Sequence, residues 1–126
     1  MSAEENARVA KELSDAFDAN DFQKIDALMD DDIVWHEIGK AEPRRGKAAL
    51  QALAPGSGET DYEITGESHD ILASDDHAIQ LVNATGTRGG KTLHYRTAEI
   101  YHIRDGKVVE RWAFSDDTAA IAEFFA

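Results

Sequence analysis

Between Tyr62 and Ser115 the chain falls into four alternating stretches with short connections of turn chemistry, and this constrains the fold more than any other feature. The stretches run Tyr62–Ala73, His77–Gly86, Thr92–Arg104 and Lys107–Ser115, and Ser74-Asp75-Asp76, Gly89-Gly90 and Asp105-Gly106 lie between them. A parallel return needs a crossover of about a dozen residues, so strands joined this closely must run back beside one another. Asp-Gly between two alternating runs is the strongest of these hairpin signals. The expected result is an antiparallel meander whose strands, longer than usual, must bend and carry bulges.

The segment before the meander reads as helical. Val9, Leu13 and Phe17 recur every fourth residue, flanked by Ala10 and Ala16, and make one apolar stripe. Asn20-Asp21 breaks that pattern, and Asp21 can cap a short second helix bearing Phe22, Ile25, Leu28 and Met29. Asp30-Asp31-Asp32 reads as a solvated turn that ends it, and from Ile33 to Ile38 the period changes to two. A loop over Gly39–Gly46, a third helix over Lys47–Leu53 and a Pro55-Gly56-Ser57-Gly58 break complete this half. Asp116-Asp117 can cap a last helical turn containing Ile121, Phe124 and Phe125.

Helices followed by a curved sheet make one α+β domain over residues 1–126. The expected architecture has N-terminal helices packed on a strongly curved antiparallel sheet that forms a cone-shaped pocket, a cystatin-like α+β barrel. Function should sit in that pocket.

Two carboxylates stand out against the alternation. On the third long strand one face reads Leu93, Tyr95, Thr97, Glu99, Tyr101 and Ile103, which sets Glu99 among apolar and aromatic residues. Glu37 repeats the pattern beside Ile33 and Trp35. Desolvation there would raise both pKa values toward what a general base or a neutral acid needs. Glu37, next to a loop, has the access of a base; Glu99, mid-strand, has the burial of a protonated donor. Strand-end solvation, or pairing with Arg96 or Arg111, is the alternative for each.

Asp116 and Asp117 follow Arg111, Trp112 and Phe114; one is a helix cap, and the other can reach the pocket mouth as an acid or base. Leu13, Phe17, Trp35, Tyr95, Tyr101, Arg111 and Trp112 are the expected substrate-binding residues. Trp35 and Trp112 suit a core and a ligand wall equally.

Other chemistries find no support in the pattern. The five histidines form no His-Glu-x-x-His motif, and His36, His94 and His102 have the parity of the opposite face, so no metal site is expected. Arg88-Gly89-Gly90-Lys91-Thr92 ends like a phosphate loop but has Thr85 where the first glycine belongs and a strand after it. Without cysteine there is no disulfide, thiolate nucleophile or Cys-ligated zinc. Twenty-five acidic against 13 basic residues give a net charge of −12, which repels nucleic acid and anionic membranes. The longest apolar run, Ala119–Ala122, is far short of a membrane span, and no signal peptide is visible, so a cytoplasmic protein without a cofactor is expected.

The chain resembles the nuclear transport factor 2-like, or SnoaL-like, superfamily, which includes ketosteroid isomerase, polyketide cyclases, limonene epoxide hydrolase and scytalone dehydratase. The resemblance rests on Phe17-Asp18-Ala19-Asn20-Asp21, on the run from Ala27 to His36, on Glu42-Pro43-Arg44-Arg45-Gly46 and on the run from Arg104 to Trp112. It implies that Glu37 stands in the place of the isomerase's aspartate base and Glu99 in that of its protonated oxyanion-hole aspartate. Leu13 stands where that enzyme has a tyrosine, and Tyr95 or Tyr101 is the candidate replacement. Asp116 matches the acid/base aspartate of the cyclases, while Gln80-Leu81-Val82 lacks the hydrolase's Arg-x-Asp pair. The resemblance also implies dimers, and the outer face with His94, Arg96, Ala98, Ile100 and His102 is the expected homodimer surface.

The leading functional reading is an isomerase-, cyclase- or dehydratase-type enzyme moving a proton on a small apolar carbonyl compound. The alternatives are a non-catalytic binder of small apolar molecules and a protein-interaction module.

Overall fold

A computed structural model describes residues 2–51 and 60–126. Helix α1 spans Ala3–Asp18 and α2 spans Phe22–Ala27; strand β1 is Met29–Trp35, β2 is Arg44–Arg45, and α3 is Lys47–Gln51. The long strands are β3 (Tyr62–Ala73), β4 (His77–Arg88), β5 (Lys91–Arg104) and β6 (Lys107–Ser115), followed by α4 (Thr118–Phe124). Leu53 and the Pro55-Gly56-Ser57-Gly58 break lie outside the described residues.

The six strands form one open sheet in the order β2-β1-β6-β5-β4-β3. Strands β3 to β6 are the expected antiparallel meander. Both tight turns have positive φ at two successive positions, +56° and +79° at Gly89-Gly90 and +53° and +78° at Asp105-Gly106. That geometry matches the twist of a two-residue hairpin and explains the residue types. The bulges are present too, between Ser68 and Asp70 on β3 and opposite His102–Ile103 on β6.

The α+β class stands, with one addition: β1 joins β6 in parallel, so the sheet is mixed. The first strand also differs from its expected span, beginning at Met29 and ending at Trp35. Met29 and Ile33 are buried in the core, and the three aspartates between them bulge outward as the register with β6 shifts. The acidic run is therefore the solvated side of a strand rather than a turn. Beyond Trp35 the alternation stops, and Ile38, expected on the outer side, packs inward against Val82, Ala84, Tyr95 and Ile121.

Two apolar clusters cover the inner face of the sheet. The larger joins Val9, Ala10 and Leu13 of α1 to Met29, Ile33, Trp35, Ala78, Tyr101, Ile103 and Val108. Leu13 is fully buried there, a burial that stabilises by about 1.5–3 kcal/mol. Helix α1 is capped by Ser2, whose side chain accepts from the Glu5 amide. Asn6, also fully buried, donates from Nδ2 to the carbonyls of Ser74 (3.0 Å) and Asp75 (2.8 Å) and ties α1 to the β3–β4 turn. The smaller cluster is covered by Ile121 of α4 and by Phe125. The helices thus leave the middle rows of the sheet between two covers. No helix among the described residues is long and apolar enough to cross a membrane.

Candidate functional site

The middle rows are polar. Register pairs Ala78 with Tyr101 and Arg111, Gln80 with Glu99, and Val82 with Thr97, all on the inner face. Alternation along β5 sends Glu99 inward with Tyr95, Thr97, Tyr101 and Ile103, as the sequence pattern requires. Gln80, Thr97 and Arg111 are buried in spite of their polarity, so each needs a partner.

Glu99 is the hub. Its Oε1 accepts from Arg111 Nη2 at 3.0 Å and from the Tyr101 hydroxyl at 3.2 Å, and its Oε2 accepts from the Thr97 hydroxyl at 3.2 Å. Tyr101 also lies 3.2 Å from Gln80 Oε1. Arg111 donates from Nη1 to the carbonyl of His36 at 2.8 Å, and its guanidinium lies 4.3 Å above the ring of Trp35. It therefore links the end of β1 to the centre of β5, while its buried Nε has no acceptor among the described residues. Glu99 retains 18% of its side-chain exposure, so the carboxylate is reachable.

Glu37 lies just past β1 and pairs with Arg44 of β2, and with Lys40 at 3.3 Å. Burial pushes its carboxyl up, but the Arg44 hydrogen bond and the charges of Lys40 and Arg44 outweigh it and hold the pKa below its ordinary value. The elevation expected of a poised base is absent at Glu37. Two cations within reach oppose it.

The tyrosines behave in the opposite way. Burial, then the charge of Glu99, pushes Tyr95 up to about 12, and the same two causes hold Tyr101 well above its usual range. Burial and the Glu37 charge raise Tyr62. All three are neutral phenols at pH 7. The Tyr101 proton is engaged, whereas the Tyr95 hydroxyl has no hydrogen-bond partner among the described residues; its ring meets Phe125 edge-on at 6.2 Å.

The structure brings together Glu99, Arg111, Trp35, Tyr95 and Tyr101, with Glu37 at the near edge. The remaining expected site residues lie elsewhere. Leu13 is sealed in the core. Phe17 is 44% exposed, because the buried stripe runs through Asn6, Val9, Ala10, Leu13 and Ala16. Trp112 has outward parity and stacks on His36, ring centroids 5.7 Å apart, with the His36 ring also 2.6 Å from Glu110. Asp117, not Asp116, caps α4 by accepting from the Ala120 amide. Asp116 is held by the backbone N–H and guanidinium of Arg96, which lower its pKa. It borders an outward-facing furrow of about 550 Å³ with His94 and Arg96, on the face opposite Glu99.

Several site residues went unassigned from sequence. Gln80 carries the same signal as Glu99, a polar residue on an apolar parity between Ala78 and Val82. Tyr62, Arg44 and Phe125 carry no such signal. No group of three or more His, Cys, Asp or Glu suited to a metal ion occurs among the described residues.

Comparison with known proteins places the chain in a family. The SnoaL-like domain family matches residues 10–111. The fold is similar to Bal32a from a soil-derived mobile gene cassette, with 26% identity, 98% of each chain covered and a TM-score of 0.84. It is also similar to an NTF2-like protein from Burkholderia xenovorans LB400, with 27% identity, 100% of this chain and 99% of that one covered, and a TM-score of 0.83. An LEH-like epoxide hydrolase of M. tuberculosis shares the fold at 20% identity and a TM-score of 0.74, over 90% of this chain and 84% of that one. No curated protein matches the sequence.

Proposed function

The chain belongs to the SnoaL-like domain family, and from that premise we propose that its inner sheet face takes a small, mostly apolar carbonyl compound and moves a proton on it. Glu99 is the proton acceptor and Tyr95 donates to the carbonyl oxygen. One observation carries this reading: a reachable carboxylate and an unengaged neutral phenol share one face of β5, with only the small Thr97 between them. Residues four apart on a strand are separated by about 13 Å between Cα atoms, room for a small ligand between the two side chains.

The donors around Glu99 decide its role. Each of its three contacts donates a hydrogen bond to it, which fits the ionised carboxylate, an acceptor only. It is therefore set to receive a proton rather than to donate one, which reverses the assignment that burial alone suggests. Tyr95 then supplies the hydrogen bond to the developing enolate oxygen; such a donor contributes most where water is excluded. An LEH-like epoxide hydrolase with the same fold supports a catalytic reading.

A second reading, a non-catalytic binder, has its own support: Glu37 and Glu99 are both paired with arginine. Deuterium uptake by β-tetralone in deuterium oxide, followed by proton NMR, separates the two. The enzyme reading expects accelerated loss of the α-proton signals and a fall of about 10²–10⁴-fold in Glu99→Gln. Binding without exchange supports the binder. Neither binding nor exchange removes both.

A further inference from the structure

We propose that α4, with Phe125 as its plug and Arg88 as its latch, is a moving cover that must swing away before a ligand reaches the Tyr95 end of the inner face. This rests on the reading of that face as a ligand site.

The two covers of the sheet differ in kind. Helix α1 is 16 residues long, is clipped by Asn6 to the β3–β4 turn and buries five positions. Helix α4 has seven residues and one buried position, Ile121. A cover held by so little apolar area belongs to the low-stability end of a fold, where local opening precedes global unfolding.

What α4 does bring is shaped to the sheet beneath it. The Phe125 ring lies edge-on to Tyr62 at 4.8 Å and to Tyr95 at 6.2 Å, so it covers the phenol assigned to the ligand oxygen. It sits where β4 has no side chain: a Cβ on Gly86 would lie 2.5 Å from Phe125 Cζ. At the other side of the helix, Gly39 (φ +80°) lets Ala122 approach to within 2.9 Å of where its Cβ would be. Two missing side chains thus form the seat of one short helix.

The latch is polar. Arg88 Nη1 donates to the carbonyls of Phe124 at 2.9 Å and Ala126 at 2.6 Å, and Arg88 Nε pairs with Asp61 at 3.0 Å. The Phe124 carbonyl is the last of the helix and shares its negative partial charge, while Ala126 lies two residues beyond it. They lie at the outer edge and are not part of the apolar contact. A polar latch over an apolar plug gives a cover that closes in one position and opens without unmaking the core around α1.

Two measurements test the cover. The first is amide hydrogen exchange in wild type and Arg88→Gln, reading Ile121 and Phe125, whose amides bond to Asp117 and Ile121. The expected result is exchange about 10²-fold faster than in β4 and β5, independent of low urea, and about tenfold faster again in Arg88→Gln. Exchange of these amides only with the global core, in step with β5, overturns the cover. The second is stopped-flow binding of prodan, a neutral naphthalene ketone that the protein's net charge does not repel. In wild type the observed rate should level off with dye concentration, limited by opening, whereas in Phe125→Ala and Gly86→Ala it should rise linearly and reach at least tenfold higher values. Equal rates in all three overturn the gate and leave the ligand site intact. Failure of prodan to bind any of them, Phe125→Ala included, defeats the ligand reading of the inner face and the gate with it.

Discussion

Arg111 and Glu99 face each other diagonally across β5 and β6, Nη2 to Oε1 at 3.0 Å, with Arg111 directly opposite Tyr101 in the register. Diagonal neighbours on one sheet face are within reach of long side chains. Both partners are largely buried, so neither can lose the other cheaply. Arg111→Met should destabilise by about 3–5 kcal/mol, because it leaves the Glu99 charge buried without its cation. Adding Glu99→Gln to Arg111→Met should recover part of that loss. A double-mutant cycle in urea checks this, and simple additivity of the two changes would show that the pair is not coupled.

The ion pair at Glu37 sets an acid limit. Its pKa is lowered on folding from an ordinary 4.5, so its contribution to stability is fully present above that value and is lost as pH falls through the lowered one. The urea midpoint of wild type should therefore fall as pH drops from about 5 toward 2. Glu37→Gln should be less stable at pH 7 and show a shallower acid limb. An acid limb of unchanged slope would mean that Arg44 and Lys40 do not hold the carboxylate in solution.

The tyrosines set an alkaline limit with the opposite sign. Their pKa values are raised on folding, Tyr95 to about 12, so folding is insensitive to them below 10 and is weakened as unfolded tyrosines ionise above it. Ultraviolet titration should show little tyrosinate at pH 10 to 11 in the native protein, and near-ordinary titration in urea. Normal ionisation of two tyrosines in the folded state would contradict the burial of Tyr95 and Tyr101.

Asn6 offers a test of how α1 is anchored. Its amide donates to two carbonyls, and an aspartate in its place has no proton to give when ionised. Asn6→Ala should cost about 1–3 kcal/mol by removing both hydrogen bonds of a fully buried side chain. Asn6→Asp should cost more at pH 7 and recover toward pH 4 as it protonates. Unfolding midpoints at the two pH values separate these outcomes; equal stability of both variants at pH 7 would refute the donor role.

Where the sequence was legible, period was the reason. Alternation put Glu99 and Tyr101 on the inner face, and the two-residue turns fixed the neighbours of β3 to β6. Where period failed, partners distant in sequence had decided the outcome. β2 is two residues long and carries no pattern, yet it delivers Arg44 to Glu37. Phe17 follows Leu13 at a helical interval, but the buried stripe steps by three to Ala16 and leaves Phe17 in solvent. Burial of Glu99 and Glu37 was visible from apolar neighbours; of their arginine partners, Arg111 was named only as a candidate and Arg44 not at all, because cross-strand pairing is not written locally. Asp116 and Asp117 are adjacent and chemically identical, and only the geometry of α4 distinguishes cap from outer-face pair.

The outer face carries the last prediction. Register aligns Leu72, Ile79, Ile100 and Trp112 in one row and Leu81, Ala98 and Phe114 in the next, all outward. Leu72 is 52% and Phe114 62% exposed, and no helix among the described residues covers them. Contiguous apolar rows of this kind, bordered by charged residues such as Glu110, Arg96 and Asp116, mark an interaction surface. A second copy of the chain is the occupant we expect, because a twofold axis through the rows would pair apolar with apolar and leave both charged borders at the rim. Light scattering at tens of micromolar should then give twice 13.9 kDa, and Phe114→Asp or Ile100→Asp should return the protein to 13.9 kDa with its fold intact. Each protomer carries −12, so added salt should tighten the assembly by screening their mutual repulsion. A wild-type mass of 13.9 kDa at every salt concentration would show that the rows are not a self-association surface. Loss of the dimer at high salt would mean instead that charge pairs, not the apolar rows, hold it.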